Sequence, residues 1–441
     1  MPSMTKQLST FGLTILLGGI CTTAQATPFA YIADDGASNV SVIDTATNTI
    51  VATITGVGTV PEGVAVNATG TRVYVTDSVT NGSVAVIDTA TNTVTATIPV
   101  GAEPFGVAVN PAGTRVYVGN FADGTVSVID ATTNAVITTI TLPSSAAGVA
   151  INPAGTKVYV TNGSAVAVID AATNEVATTI DSAGFLGLAV NPAGTFVYSS
   201  LQASAKVIDT ATNTVVATVP ANSGASLQGV AVNPAGTRAY YTDENNASLV
   251  VLDTASNEIV ATVPVGDAPE GVDVTPDGLR VYVANSFSAS VSVIDTATNT
   301  VVDTIAFPDP NTNAPFAFGK FIGSPPTPPP TDTAIPSATS TATSGATTTA
   351  PPTSTAPPTA APPTSTAPPT AAPPTSTAPP TAAQPTRTAP PTATQASAPT
   401  VRVLELDDDA CQIDRRANSR GVWLLGLGAI LLLGLRRSSE R

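Results

Sequence analysis

Histidine does not occur anywhere in this chain of 441 residues. Its absence excludes a Ser-His-Asp site, imidazole-ligated zinc, copper or haem iron, and acid–base work by an imidazole. Cysteine is nearly as scarce, with Cys21 and Cys411 the two present. Cys21 falls in a targeting leader, so the mature chain is expected to form no internal disulfide. Positive charge is also short: 16 Lys and Arg face 31 Asp and Glu, for a formal charge of −15. That balance argues against a nucleic-acid-binding surface.

What is present is repetition. Residues 1–26 read as an export signal, with Lys6, an apolar stretch from Phe11 to Ile20, and Ala24-Gln25-Ala26 as the cleavage site. From there to residue 323 one unit is written seven times. Its marker aspartate recurs at Asp44, Asp88, Asp130, Asp170, Asp209, Asp253 and Asp295. A tyrosine keeps the same beat at Tyr31, Tyr74, Tyr117, Tyr159, Tyr198, Tyr240 and Tyr282.

Each unit divides into four short β-branched and aromatic runs separated by Asn, Pro and Gly, and none has helical length or period. Four-stranded units of about 40–45 residues indicate propeller blades. The expected fold is therefore all-β, a seven-bladed propeller over residues 27–323. Its first unit starts at the second strand, and Pro315 to Ile322 aligns with the innermost strand of other units. Pairing of the N- and C-terminal strands in one blade should close the ring, with 28 strands in all.

Residues 324–402 are a Pro/Thr/Ala-rich tract with an 11-residue period and no means of burying a core. They read as a disordered, extended stalk. Residues 403–441 hold an acidic-Cys motif, a hydrophobic helix from Gly421 to Leu435, and an arginine cluster. That arrangement fits a membrane anchor retained after export. It equally fits a sorting signal that is cut. Both place the propeller outside the cytoplasm.

Tyr159-Val160-Thr161-Asn162, Val168-Ile169-Asp170 and Asn110-Pro111-Ala112-Gly113-Thr114, recurring in order, resemble the YVTN family of β-propeller repeats. The resemblance covers residues 30 to 323 and implies a secreted or surface-layer propeller. It implies little about activity. Some relatives of similar fold carry redox or lactonase chemistry, and the metal-dependent redox relatives use histidine, which this chain lacks.

The seven aspartates are expected to fix hairpins by accepting backbone N–H groups. Five of them also face a basic residue across the neighbouring strand: Arg72, Arg115, Lys157, Arg238 and Arg280, opposite Asp88, Asp130, Asp170, Asp253 and Asp295. In the seventh unit Asp273 replaces the alanine of the second to sixth units, and a pair with Lys320 of the closing segment is expected.

Within a propeller the turns on one face are uniform here, Asn-Pro-Ala-Gly-Thr and Asp-Thr-Ala-Thr-Asn, while the loops on the other vary. Variable loops on a rigid frame are where binding sites are built. Twelve acidic residues fall to that variable face: Asp34, Asp35, Glu62, Asp77, Glu103, Asp123, Asp181, Asp243, Glu244, Asp267, Glu270 and Asp309. No Lys or Arg falls in those loops. The mouth of the central channel should be ringed by Glu62, Phe105, Ala147, Leu186, Gln228, Glu270 and Phe316. Of these, Glu62, Phe105, Gln228, Glu270 and Phe316 are the candidate partner-binding residues, for a cation, a sugar or a basic peptide.

The leading expectation is a non-enzymatic, monomeric surface protein that binds an extracellular protein or glycan, with no cofactor, catalytic residue or metal ligand assigned. The alternative is a carboxylate- and Ca2+-dependent hydrolase of lactonase type at the channel mouth.

Overall fold

Apolar side chains in each repeat run continuously in the middle strands and alternate in the last, and burial follows that pattern. In blade 2 the four strands are Pro61–Val66, Arg72–Asp77, Ser83–Asp88 and Thr93–Pro99; we name such strands a to d from the axis outward. Strands a to c are buried almost throughout because neighbouring sheets cover both their faces. Strand d alternates exposed and covered positions, as an outer edge should. The computed structural model describes residues 28–309 and 313–323. The leader, the Pro/Thr-rich tract and the C-terminal segment read from the sequence lie outside these residues. Among the described residues no helix is long and apolar enough to cross a membrane.

Seven antiparallel sheets form seven blades. Six have four strands in the order a-b-c-d. The remaining one, blade 1, takes its strands b, c and d (Phe29–Asp34, Asn39–Asp44, Thr49–Thr55) from the start of the repeats. Its strand a comes from the end of the array, as the sequence leads one to expect. The closing strand is nevertheless split, so the described residues hold 29 strands rather than 28. Pro315–Phe316 pairs with Asp34 and Ala33, and Ile322–Gly323 pairs with Ala30 and Phe29. Between these pieces the chain turns to blade 2: Val64 and Val66 donate to the carbonyls of Phe318 (2.8 Å) and Lys320 (2.9 Å). Gly319 makes the excursion possible, with φ of 111°, a backbone shape glycine adopts without strain. One apolar cluster runs across this seam, joining Tyr282, Val293 and Ile305 of blade 7 to Tyr31 and Val42 of blade 1 and to Phe321 and Ile322.

The repeated polar residues are scaffold. Each marker aspartate accepts backbone N–H groups of its own turn, as when Asp130 takes Thr132 (2.9 Å) and Thr133 (3.0 Å). Those bonds hold the Asp130, Asp170, Asp209, Asp253 and Asp295 carboxyls below the usual carboxylate range. Four residues after each aspartate an asparagine, from Asn48 to Asn299, takes φ of 52–58°. Asparagine tolerates this left-handed shape better than other residues with a Cβ, which explains its place in all seven turns.

The cross-strand register puts every expected cation opposite its aspartate. Ion pairs form for Arg238–Asp253 and Arg280–Asp295. Arg72 and Lys157 instead reach the next blade, donating to the carbonyls of Ala131 (2.6 Å) and Thr210 (3.1 Å). The long side chains span the inter-blade gap and satisfy a turn carbonyl there, which corrects the expectation of five intra-blade pairs. The tyrosines point the same way round the ring. The Tyr282 hydroxyl of blade 7 donates to Asn48 Oδ1 of blade 1 at 2.6 Å.

A hydroxyl on strand b joins neighbouring blades near the axis. Register slips between strands a and b at residues such as Pro61 and Val64, which frees the N–H of Gly63 from the ladder. Thr76 Oγ1 accepts that N–H (2.8 Å) and donates to the Phe105 carbonyl of blade 3 (3.0 Å). Ser200 repeats the relay from Gly187 to Gln228, and Thr242 repeats it from Gly229 to Glu270. Replacing Thr242 with valine keeps the shape but leaves a buried donor and a buried acceptor unmatched. A loss of about 2 kcal/mol is expected from urea unfolding. An unchanged midpoint would show that the relay contributes nothing.

Candidate functional site

Strand a of each blade starts at the variable-loop face and carries a mouth residue followed by glycine. Gly63, Gly106, Gly148, Gly187, Gly229 and Gly271 each pack against a main-chain carbonyl of the next strand a. A Cβ on any of them would sit closer than 3.0 Å to that oxygen, a separation real Cβ atoms essentially never show. The inner strands therefore stand backbone to backbone and almost close the axis. The cavity left there is about 20 Å³, lined by Gly106, Gly148, Gly187, Gly229, Leu186 and Phe318. That is room on the scale of a single water, far short of a small-molecule site.

The mouth divides into an aromatic and a polar part. Phe105 of blade 3 and Phe316 and Phe318 of the closing strand meet above blade 2. Their ring centroids lie 6.2 Å (Phe105–Phe316), 4.7 Å (Phe105–Phe318) and 5.2 Å (Phe316–Phe318) apart, in edge and tilted arrangements that suit aromatic quadrupoles. Ala147 belongs to the same cluster, and Phe121, Leu186 and Phe316 pack on it while remaining partly open. Phe105 and Glu62 are buried, so of the predicted contact residues these two form the floor of the mouth rather than its surface. Phe316 and Glu270 are half-buried and reach solvent.

In the polar part Gln228, 8 % exposed, donates through Nε2 to Glu244 Oε2 (2.6 Å) and Ser226 Oγ (3.0 Å). The sequence places Gln228 and Glu270 at the mouth but gives no sign that Glu244, on the loop between strands b and c, would join Gln228. Glu103 and Ala268 precede the prolines before Phe105 and Glu270, and both take φ of 49°. Non-glycine residues in that region cost about 1 kcal/mol or more, so the loops carry strain where they present these side chains.

The acidic face is thinner than the sequence suggests. Asp34, Asp77 and Asp243 are buried and hold loops in place. Asp77 Oδ1 accepts the N–H groups of Thr59 and Val60 (both 2.9 Å), Asp243 Oδ1 that of Ser226 (3.0 Å), and Asp34 Oδ1 those of Ala37 and Ala314. Asn162 does the same for Ser144. This is the residue after the Tyr-Val-Thr of the repeat, and its recurrence as Asp or Asn was the available signal. Asp123, Asp181, Asp267 and Asp309 stay exposed, while Asp35, Glu103, Glu244 and Glu270 are half-buried.

Asp273 lies at the ring closure. Its oxygens accept the N–H groups of Val274 and of Ile322 in the closing strand, both at 2.8 Å. Backbone amides, rather than the Lys320 ammonium, thus occupy the expected partner positions. Burial pushes the carboxyl up to about 6, and Lys320 opposes that shift.

Among the described residues no group of three or more His, Cys, Asp or Glu could hold a metal ion. A family profile described as the cytochrome D1 heme domain matches residues 27–153, from the start of the repeats to strand a of blade 4. The residues present do not fit a haem. No histidine exists in the chain, the repeat tyrosines are buried between blades, and the axial cavity is water-sized. No curated protein matches the sequence. Among solved structures, one titled Kuenenia stuttgartiensis Hydrazine Synthase is 22% identical, with a TM-score of 0.54 over 64% of this chain and 99% of that one. A second, titled as a functionally unknown protein from Desulfotomaculum acetoxidans DSM 771, is 17% identical, with a TM-score of 0.56 over 66% and 99%. At these identities the likeness is one of architecture, and it is shared by the whole ring: the described residues are a seven-bladed β-propeller.

Proposed function

We propose that this protein is a non-enzymatic binding propeller, exported and displayed at the cell surface, which takes its partner on the variable-loop face. The supporting observation is the contrast between the two faces. On one side the turns repeat nearly residue for residue and their aspartates are committed to backbone N–H groups. On the other, half-open aromatics adjoin carboxylates in loops that contain no Lys or Arg. Such a face attracts cationic partners and discourages acidic ones. The leader and the Pro/Thr-rich tract supply the reason for placing it outside the cell.

The test compares charge reversal on the two faces of the full chain. Glu103→Lys with Asp123→Lys alters the variable face, and Glu175→Lys with Glu258→Lys alters exposed positions on the uniform one. Binding to arrayed glycans and to immobilised basic proteins should fall at least tenfold for the first pair and hold for the second. Equal behaviour of the two double variants would sink the assignment of the binding face.

A further inference from the structure

We infer that Gln228 and Glu244 form a subsite for a primary ammonium group, that of a lysine side chain in a partner. This rests on the reading of the variable-loop face as the binding face and names the chemistry one part of it selects. The Gln228 amide is oriented by its neighbour, because a carboxylate accepts and only Nε2 can donate to it. Its oxygen therefore turns the other way, buried and without a hydrogen-bond partner. Buried acceptors are almost always matched, so an unmatched one in a residue 8 % exposed marks a place for a donor.

The donor is identified by what surrounds it. Glu244 brings one negative charge and Ser226 a hydroxyl, with Ser226 Oγ 3.4 Å from Glu244 Oε2. One carboxylate beside neutral oxygens matches a singly charged cation, and an ammonium offers three donors to these three groups. A calcium ion would need six or more oxygens. On one side the subsite adjoins Leu186, since the Gln228 carbonyl packs on Gly187 of the neighbouring strand. Half-buried Leu186 gives the aliphatic stem of a lysine an apolar wall. Glu244 sits on a loop and is itself half-buried, so a rotation of its side chain together with the incoming ammonium uncovers the Gln228 oxygen.

The probe is hexalysine, titrated into the full-length protein by calorimetry beside its fully Nε-acetylated form, which keeps the shape and loses the charge. Wild type should bind hexalysine and not the acetylated peptide. Gln228→Leu leaves the net charge unchanged yet should weaken hexalysine at least tenfold, with Glu244→Gln doing the same from the partially open side. A thermal melt confirms that each variant folds. Should Gln228→Leu fail to fold, Glu244→Gln alone decides. Hexalysine binding that persists undiminished in the folded variants overturns the subsite and leaves only a diffuse acidic face, whereas glycan binding without any hexalysine binding overturns the ammonium assignment and leaves the binding face standing. Wild-type failure with both probe classes overturns the subsite and the face together.

Discussion

Gly148→Ala is expected to destabilise the propeller by about 4 kcal/mol, lowering Tm by roughly 10 °C. The added methyl would meet the Leu186 carbonyl closer than 3.0 Å, with a second main-chain carbon behind it and Thr161 Oγ1 on its flank. A flexible side chain could give way, but a carbonyl inside a closed ring cannot move without shifting the next blade. Gly113→Ala is the matched control. There φ is 69° and nothing lies within 4 Å, so the cost is that of a left-handed alanine, about 1 kcal/mol. Similar melts for the two variants would show that the axis is not close-packed.

The second large effect follows Asp273. Its carboxyl titrates at about 6 in the folded protein, against an ordinary value of 3.8. A raised acid binds its proton more tightly in the native state, so between pH 4 and pH 6 the folded form holds a proton that the unfolded form has lost. This group therefore favours folding in acid, and that contribution disappears as pH rises through 6. The difference is about 3 kcal/mol between pH 4 and pH 7. The turn aspartates act in the opposite sense, since their lowered carboxyls stabilise above the unfolded value and lose that effect only in stronger acid. Comparison with Asp273→Asn removes the background they supply. Relative to that variant, wild type should gain about 3 kcal/mol when urea unfolding is repeated at pH 4 instead of pH 7. Parallel pH curves would place the Asp273 titration outside this range.

The blades, their number and the return of the last segment to the first unit could all be read from spacing, because seven copies of one pattern leave few other folds. The split in the closing strand could not be read that way. It depends on Gly319 and on contacts with blade 2, and aligning Pro315 to Ile322 with other strands conceals both. At the site, the alignment found the mouth positions Phe105, Gln228, Glu270 and Phe316. It missed that Phe105 and Phe316 meet over an intervening blade, since side-chain reach across an axis leaves no trace in a linear pattern. It also counted Asp34, Asp77 and Asp243 as solvated charge. An aspartate that ends strand b looks the same in sequence whether it faces water or a loop amide. The glycine after each mouth residue and the hydroxyl of Thr76, Ser200 and Thr242 were legible as repeats, but their purpose becomes visible only when two blades are seen side by side.

The split closing strand also sets an order on biosynthesis. Strand b of blade 1 is made among the earliest residues of the repeat array, yet the partners of Phe29, Ala30, Ala33 and Asp34 are among its last. Until residue 323 has emerged, the first blade waits with its inner edge unpaired, and a product that stops short of Pro315 keeps that adhesive edge permanently. Completion of translation is thus recorded in the shape of the molecule, and a prematurely ended copy carries its own mark for removal.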